Sequence, residues 1–207
     1  NLAPCVIHTN YLINLGASSM DVLRQSMEAF RGEVERALTI GAEYLVMHPG
    51  SWKGHPSVEA AIDIVAASVA VSIKGLDTCG LKLLYEGTAG AGQALGGRLE
   101  ELALVASQTN RLTDLATGFC LDTCHLYAAG YDIATESGLK QTAALIEKTL
   151  GFANVPVIHA NDSKGALGSH LDRHAHIGRG QIGEAGFARI LAHAKFKKCA
   201  FVLETPE

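Results

Sequence analysis

The sequence predicts an α/β fold organised as a (β/α)8 TIM barrel. Short apolar runs rich in β-branched and aromatic residues alternate along the chain with longer segments of helical periodicity. Runs of this kind are typical of parallel strands whose two faces are both covered by helices. Each run is also followed directly by a histidine or a carboxylate, as expected where strand ends meet at one face of a barrel.

Six apolar runs are predicted to be the strands, at residues 5–7, 44–47, 81–85, 119–121, 155–158 and 199–203. Helices are predicted between them. In the first helix, apolar residues recur every three or four positions from Leu23 to Leu38, with Ser19 as the N-cap and Gly41 as the C-cap. Similar patterns predict further helices at residues 57–74, 99–105, 139–150 and 187–194.

Composition narrows the class of protein. At 207 residues, 48% hydrophobic and 18% charged, the chain is long enough to bury a core. No apolar run approaches the roughly 18 residues of a membrane span, and no basic, apolar leader is present, so a cytoplasmic protein without membrane contact is predicted. Five cysteines without a CxxC pair predict buried thiols rather than disulfides. The net charge of −4 argues against a partner as anionic as nucleic acid.

Metal ligation explains the residues that follow the strands better than separate accidents do. A lone histidine or aspartate at a strand end is more commonly a cap or a loop hydrogen-bond partner. Here all six runs are followed by residues that can ligate a metal, and the first five of these are spaced by 36 to 40 residues. Convergence of three imidazoles and three carboxylates without a cation would be electrostatically unfavourable. The six residues are His8, His48, Glu86, Asp122, His159 and Glu204.

Two short motifs add to this set. Asp122 with His125, and Asp172 with His174, place a carboxylate and an imidazole close together in predicted turns after strands. The resulting nine candidate ligands are too many for one zinc, which takes about four, and suit two or three ions. The histidine content favours Zn²⁺ or Mn²⁺ over Mg²⁺ or Ca²⁺. The remaining histidines, predicted to be structural or at the surface, are His55, His170, His176 and His193.

Seven motifs give the chain a resemblance to a known family. They occur in order as HTNYLINLG (8–16), HPGS (48–51), EGTAGAG (86–92), LDTCHLYAAGYD (121–132), HANDSK (159–164), LDRHAHIGRGQIG (171–183) and LETP (203–206). With these motifs the chain resembles the endonuclease IV family of apurinic/apyrimidinic (AP) endonucleases. Members of that family are xylose-isomerase-like (β/α)8 barrels that cut DNA at abasic sites in base excision repair. The fourth and sixth motifs together are highly specific for it.

The resemblance implies a DNA repair phosphodiesterase with a trinuclear zinc site, in which Mn²⁺ is an alternative at one position. It implies cleavage 5′ to the abasic site, leaving 3′-hydroxyl and 5′-deoxyribose phosphate ends. Glu86 would be the catalytic residue that orients the nucleophile, and Asn161 and Asp162 would fix the ligand imidazoles. The implied ligand sets are His8, His48 and Glu86 for the first zinc, Glu86 again with Asp122, His159 and Glu204 for the second, and His125, Asp172 and His174 for the third.

The implied partner is double-stranded DNA with an abasic site, bound by a monomer. Tyr11 and Leu12 match the aromatic and aliphatic side chains that wedge into the base stack in the family. The alternative for Tyr11 is an aromatic packed on the barrel rim. Three Zn²⁺ would bring the charge of −4 to about +2 and so remove the charge objection. The cations expected to reach phosphates are Arg173, Lys53, Lys164 and Arg179.

The chain lacks counterparts of the family's first strand and final helix, and it does not begin with methionine. We therefore expect one barrel domain over residues 1–207 that is a piece of a longer protein. Two other functions remain open. A metal-dependent sugar isomerase or epimerase of the related barrels accounts for Glu86, Asp122, His159 and Glu204 but leaves the other candidate ligands unexplained. A truncated remnant that binds zinc or damaged DNA without cutting it is the second.

Overall fold

Strands and helices alternate through the computed structural model, which describes residues 4–206 and confirms the predicted α/β class. The strands are β1 (Val6–His8), β2 (Tyr44–Met47), β3 (Lys82–Glu86), β4 (Ala116–Asp122), β5 (Val157–His159), β6 (Asp162–Ser163), β7 (His174–Ala175) and β8 (Ala200–Val202). The α-helices are α1 (Met20–Ile40), α2 (Val58–Ser72), α3 (Leu99–Leu112), α4 (Thr123–Ala128), α5 (Glu136–Thr149) and α6 (Gly183–Ala192). None of these helices has the length and apolar character needed to cross a membrane.

The chain divides into two compact units. The first holds residues 4–86, 93–95 and 101–118, and in it β1, β2 and β3 pair in parallel in that order. The second holds residues 87–92, 96–100 and 119–206, and in it β5 pairs in parallel with β4 on one side and β8 on the other. Within each unit, these paired strands therefore run in the same direction, as predicted.

Strands β2 and β5 are buried on both faces, which explains their uninterrupted apolar sequences. In β2 the neighbours Leu45, Val46 and Met47 are all 0% exposed, and in β5 Val157 and Ile158 are as well. Successive residues of a strand point to opposite faces of the sheet. Neighbours are buried alike only when both faces are covered, which is the usual state of parallel sheets.

Helix α1 follows the prediction closely. Its apolar positions Leu23, Phe30 and Val34 are buried. Gly41 ends the helix in a left-handed conformation, with φ of 68°, and its N–H bonds to carbonyls of the last turn. Glycine adopts this conformation without a steric penalty, so it is the common residue after a helix. Ser19 occupies the N-cap position, but its side chain makes no capping hydrogen bond.

Helix α3 runs well beyond the predicted end at residue 105, to Leu112. The sequence of this second half is polar, which hides its buried face. Thr109 is 0% exposed, and its hydroxyl donates to the carbonyl oxygen of Val105 at 2.9 Å. The hydroxyl of the buried Tyr85 lies 2.6 Å from the same Thr109 oxygen and therefore acts as the donor to it. A polar residue is buried here because each of its hydrogen-bonding groups has a partner.

Two elements that carry candidate ligands are not predicted by the sequence. Helix α4 begins directly after Asp122, whose side chain caps it by accepting a 2.9 Å hydrogen bond from the backbone N–H of His125. Strand β7 pairs antiparallel with β6, so that His174 lies opposite Ser163. The prediction that both carboxylate–imidazole pairs lie in turns is therefore wrong. Strand β7 depends on pairing with residues 162–163, which local sequence does not reveal.

The cysteine prediction is partly wrong. All five cysteines are free thiols, as expected, and Cys120 and Cys124 are buried. Cys5 and Cys79, however, are exposed. Cys5 stands at the start of β1 and Cys79 in the loop before β3, where an apolar neighbourhood in sequence does not become one in space.

The two N-cap serines allow a matched test of helix capping. Ser57 accepts a hydrogen bond from the N–H of Ala60 at 3.2 Å at the start of α2, whereas Ser19 makes none at the start of α1. We expect Ser57→Ala to lower the free energy of unfolding by about 1 kcal/mol, measured by urea denaturation. Ser19→Ala should change it much less. Equal losses in the two variants would contradict this assignment of the caps.

Candidate metal sites

The first candidate metal site lies at the C-terminal ends of β1, β2 and β3. His8, His48 and Glu86 each offer a donor atom within 4.8 Å of the other two. Oε2 of Glu86 is 2.8 Å from Nε2 of His8 and 3.8 Å from Nε2 of His48. Nδ1 of His8 donates to the carbonyl oxygen of Thr9 at 2.7 Å, which holds the ring with Nε2 toward Glu86. Glu86 itself is 1% exposed.

Strand register brings this first group together. Val46 is the register partner of His8, and Leu84 is the partner of Val46. His48 and Glu86 lie two residues beyond these partners. Because side chains of a strand alternate with a period of two, all three candidate ligands point to the same side. The grouping thus follows from strand register, with His48 and Glu86 two residues farther along their strands than His8.

The second group lies at the ends of β4, β5 and β8. Asp122 and His159 are register partners, and Glu204 lies two residues beyond Val202, the partner of His159 in β8. Donor atoms of Asp122, His159 and Glu204 lie within 4.8 Å of one another. Nδ1 of His159 is 2.9 Å from Oε2 of Glu204. Asp122 is 0% and His159 1% exposed, so this group joins charged and polar atoms in a largely buried place.

The third group consists of His125 in α4, His174 in β7 and Asp172 just before β7. Oδ1 of Asp172 is 3.2 Å from Nε2 of His125 and 3.4 Å from Nε2 of His174. Each imidazole is oriented by its other nitrogen. Nδ1 of His125 donates to the carbonyl oxygen of Gly87 at 2.9 Å, and Nδ1 of His174 donates to that of Glu204 at 3.1 Å. Backbone carbonyls commonly hold metal-binding histidines in this way.

Electrostatics in the third group favours the charged forms. The imidazoles of His125 and His174 hold the pKa of the Asp172 carboxyl far below its usual range. Burial by itself would lower the pKa of His174, but the carboxylates of Asp172 and Asp122 and the carbonyl of Glu204 outweigh it and raise that pKa. A proton and a metal ion would therefore compete for His174.

Asn161 and Asp162 do not bind the imidazoles, contrary to the prediction. Asn161 is fully buried, and its Nδ2 donates to Oδ2 of Asp122 at 2.5 Å. Asp162 is also fully buried and accepts hydrogen bonds from backbone N–H groups of residues 178–183 at 2.9 to 3.4 Å. The first thus orients a carboxylate, and the second holds a loop. Buried polar groups in a known motif are the signal that points to such supporting contacts.

Cys124 is a further candidate donor, which is not among the nine residues predicted from the sequence. Its sulfur lies within 4.8 Å of donor atoms of Asp122 and His174. Burial raises the pKa of the thiol, and Asp122 adds to that effect. The thiol also lies 3.6 Å from the carbonyl oxygen of Arg173, to which it donates. Cys124 is therefore a protonated, hydrogen-bonded thiol beside the third group, recognisable in sequence from its place two residues after Asp122.

The chemistry and spacing of the donors fit zinc. Imidazole nitrogen and carboxylate oxygen are common zinc ligands, and two ligands of a tetrahedral zinc lie about 3.4 Å apart. The donor pairs above are separated by 2.8 to 3.8 Å. Nε2 of His174 is buried and makes no hydrogen bond within residues 4–206, although carboxylate oxygens lie at 3.4 and 3.7 Å. A cation between these atoms would give the nitrogen a partner.

The residues predicted to contact DNA are at the surface. Tyr11 is 83% and Leu12 70% exposed, in the loop after β1. The alternative of an aromatic packed on the rim does not describe Tyr11. Arg173 is exposed, and its guanidinium donates to the carbonyl oxygen of Asp172 at 3.1 Å. The other cations predicted to reach phosphates are likewise exposed: Lys53, Lys164 and Arg179.

The four histidines predicted to be structural or at the surface stand outside all three groups. Nε2 of His55 lies 2.9 Å from the carbonyl oxygen of Gly16, and Nδ1 of His170 lies 2.8 Å from that of Ala89. His193 follows α6 as its C-cap rather than lying inside the helix, and its ring packs edge-on against Phe196 at 5.5 Å. The fourth, His176, is exposed.

Several proteins with similar sequences carry the name endonuclease 4. A family model described as "Xylose isomerase-like TIM barrel" matches residues 1–207. The "Probable endonuclease 4" of Solibacter usitatus is 53% identical over 206 residues, covering 100% of this chain and 71% of that protein. The "Endonuclease 4" of Thermus thermophilus is 41% identical over 207 residues, covering 98% of this chain and 69% of that protein.

Solved structures agree with the sequence matches. The crystal structure of endonuclease IV from Thermus thermophilus superposes with a TM-score of 0.83 at 39% identity, covering 99% of this chain and 70% of that one. A D-tagatose 3-epimerase-like protein superposes with a TM-score of 0.68 at 21% identity, covering 98% and 71%. The second likeness shows the fold alone. Together with the family model, these matches confirm the predicted xylose-isomerase-like TIM barrel.

The third group predicts a specific loss of metal. His174→Ala should lower the zinc content of the purified, zinc-saturated protein by about one ion per chain, because it removes a ligand with a buried, oriented nitrogen. His176→Ala, two residues away at an exposed position, is the matched control and should keep its zinc. Zinc would be counted by atomic absorption on folded, gel-filtered protein. Equal zinc contents in the two variants would remove His174 from the ligand set.

Proposed function

The chain belongs to the endonuclease 4 family of xylose-isomerase-like TIM barrels, as its motifs predict, and we propose that it is a DNA repair enzyme that cleaves the backbone 5′ to abasic sites. The observation that carries the proposal is the completeness of the ligand set. All nine residues assigned by the resemblance fall into groups whose donor atoms lie within 4.8 Å of one another. A protein without metal chemistry has no physical need for three such groups.

We propose one zinc ion for each group. His8, His48 and Glu86 hold the first. The resemblance also assigns Glu86 to the second ion, and Mn²⁺ is an alternative to zinc at one position. Bound zinc supplies Lewis-acid catalysis of phosphodiester cleavage. The ligands of the other two ions are Asp122, His159 and Glu204 for the second, and His125, Asp172 and His174 for the third.

Glu86 is proposed as the catalytic carboxylate. It is 1% exposed and lies at the end of β3, so its position is fixed by the strand rather than by a loop. Its Oε2 contacts His8, which Thr9 orients in turn. A carboxylate held in this way can orient a nucleophile with little loss of entropy at the moment of reaction. In the proposed hydrolysis it orients a water for attack on the phosphorus 5′ to the abasic site. The bond from that phosphorus to the 3′ oxygen of the preceding nucleotide breaks, so the products carry 3′-hydroxyl and 5′-deoxyribose phosphate ends.

Double-stranded DNA with an abasic site is the proposed partner. Tyr11 and Leu12 present an exposed aromatic and an exposed aliphatic side chain next to each other, which suits insertion into a base stack. Arg173 precedes the ligand His174 and can turn its guanidinium toward a phosphate on the solvent side. We propose that the protein acts as a monomer.

The alternatives are weaker but testable. A sugar isomerase or epimerase uses one or two metals and accounts for Glu86, Asp122, His159 and Glu204, but not for His8, His48 or the third group. The epimerase-like structure shares only the fold at 21% identity. A remnant that binds damaged DNA or zinc without cutting would lack incision while retaining metal.

Incision of a duplex oligonucleotide with one tetrahydrofuran abasic mimic tests the proposed activity. Zinc-saturated protein should cut the strand 5′ to the mimic. Glu86→Gln should lower the rate by at least about 100-fold. Changing a residue that only orients a metal ligand already costs about 10- to 100-fold, and Glu86 is itself a proposed ligand. Glu100→Gln, an exposed carboxylate on α3, is the matched control and should cut normally. Metal-saturated protein that binds the duplex without cutting it would favour the non-catalytic remnant.

The wedge assignment predicts a defect in binding rather than in metal content. Tyr11→Ala should weaken binding of the abasic duplex by about tenfold, because a base–aromatic contact contributes roughly 1–3 kcal/mol. Zinc content and thermal stability should not change, since Tyr11 is 83% exposed. Ile40→Ala, which is 60% exposed at the far end of α1, is the control. Fluorescence anisotropy with labelled duplex measures the DNA affinity of both variants. Unaltered affinity in Tyr11→Ala would rule out the wedge.

A further inference from the structure

Asn161 uses both polar atoms of its side chain on residues of the second metal group. Its Nδ2 donates to Oδ2 of Asp122 at 2.5 Å, and its Oδ1 accepts from the backbone N–H of Glu204 at 3.0 Å. Asp122 ends β4, Asn161 follows β5 and Glu204 follows β8. One fully buried amide therefore joins the ends of three strands at the level of the proposed metal ligands.

The Asp122 carboxylate is held at both of its oxygens. Oδ1 accepts from the backbone N–H of His125 at 2.9 Å, the bond that caps α4. Oδ2 accepts from Asn161 and also faces Nε2 of His174 at 3.7 Å. A carboxylate fixed at two oxygens has its plane and its remaining lone pairs fixed as well. Because both donors are neutral, the negative charge that attracts a cation is retained.

The backbone of Asn161 is anchored just as firmly. The hydroxyl of Thr123 donates to the carbonyl oxygen of Asn161 at 2.6 Å, and the N–H of Asn161 donates to the same hydroxyl at 2.8 Å. Thr123 directly follows Asp122 in the chain. Hydrogen bonds from Asn161 to Thr123 and to Asp122, together with the peptide bond between Asp122 and Thr123, thus close a ring, and the amide cannot shift without disturbing the carboxylate that it orients.

We infer that Asn161 is a positioning residue for the second metal group. It sets the orientation of the Asp122 carboxylate and the position of the Glu204 backbone so that both residues face the same cation. The inference rests on the proposed function for the identity of that cation as zinc. Only an amide supplies one donor and one acceptor in this shape. Aspartate at 161 would place a second carboxylate against Asp122. Alanine would remove the donor to Asp122 and the acceptor for the Glu204 N–H.

Zinc affinity tests the inference directly. In Asn161→Ala and Asn161→Ser, competition with a chromophoric chelator should show one zinc site weakened by about 10- to 100-fold, the usual effect of losing a residue that orients a ligand. Asn154→Ala is the matched control, because its amide donates only to the carbonyl oxygen of Leu150, away from all three groups. Its zinc affinities should equal those of the unchanged protein.

A second readout separates positioning from general support of the fold. Thermal midpoints are compared with and without zinc for each variant. A positioning role predicts that the zinc-dependent rise of the midpoint shrinks in Asn161→Ser, whereas a purely structural role predicts equal losses in both states. In the incision assay, kcat should fall by about 10- to 100-fold while KM stays within about twofold, since the buried amide does not meet DNA.

The outcomes are distinguishable from failure of the proposed function. If the unchanged protein does not cut abasic DNA but Asn161→Ser still weakens zinc, the positioning role stands and the endonuclease assignment fails. If folded Asn161→Ala and Asn161→Ser both keep zinc affinities within about twofold of the Asn154→Ala control, the positioning role is wrong whatever the activity.

Discussion

The electrostatic cost of gathering polar groups at buried strand ends is the constraint around which the structure is arranged. Glu86, Asp122 and His159 are each 1% exposed or less. Such groups are tolerated inside a protein only when they are paired, hydrogen-bonded or bound to a metal. The gathering itself follows from strand register, because the paired parallel strands within each unit end within two residues of one another. The residues that surround these ends reduce that cost by hydrogen-bonding to the buried polar groups.

Most of these hydrogen-bond partners are neutral groups rather than opposite charges. His125 and His174 each donate to a backbone carbonyl, and Asp122 accepts from a backbone N–H and from the amide of Asn161. A lysine or arginine in the same places would neutralise the carboxylates and compete with a metal ion. Neutral partners orient the ligands and leave their charge available. This choice of partners distinguishes a cation site from an ordinary buried salt bridge.

The sequence predicts the strands, most of the helices and the six residues after the strands because these depend on local pattern. Apolar runs identify the strands. Because side chains of a strand alternate with a period of two, the strand pattern also indicates the side to which the next polar residue points. What it does not predict depends on contacts between distant segments. The length of α3 depends on Thr109 meeting Tyr85, and strand β7 depends on Ser163 pairing with His174. The role of Asn161 likewise appears only when two segments 39 residues apart lie side by side.

The division of the ligands along the chain has a consequence for biosynthesis. The donors of the first group all lie within residues 8–86, in the first unit, and those of the second and third groups within residues 122–204. A ribosome releases the chain from its N-terminus, and compact units tend to form in that order. The donors proposed for the first group therefore emerge from the ribosome before those of the other two groups, and Glu204 is the last donor to emerge.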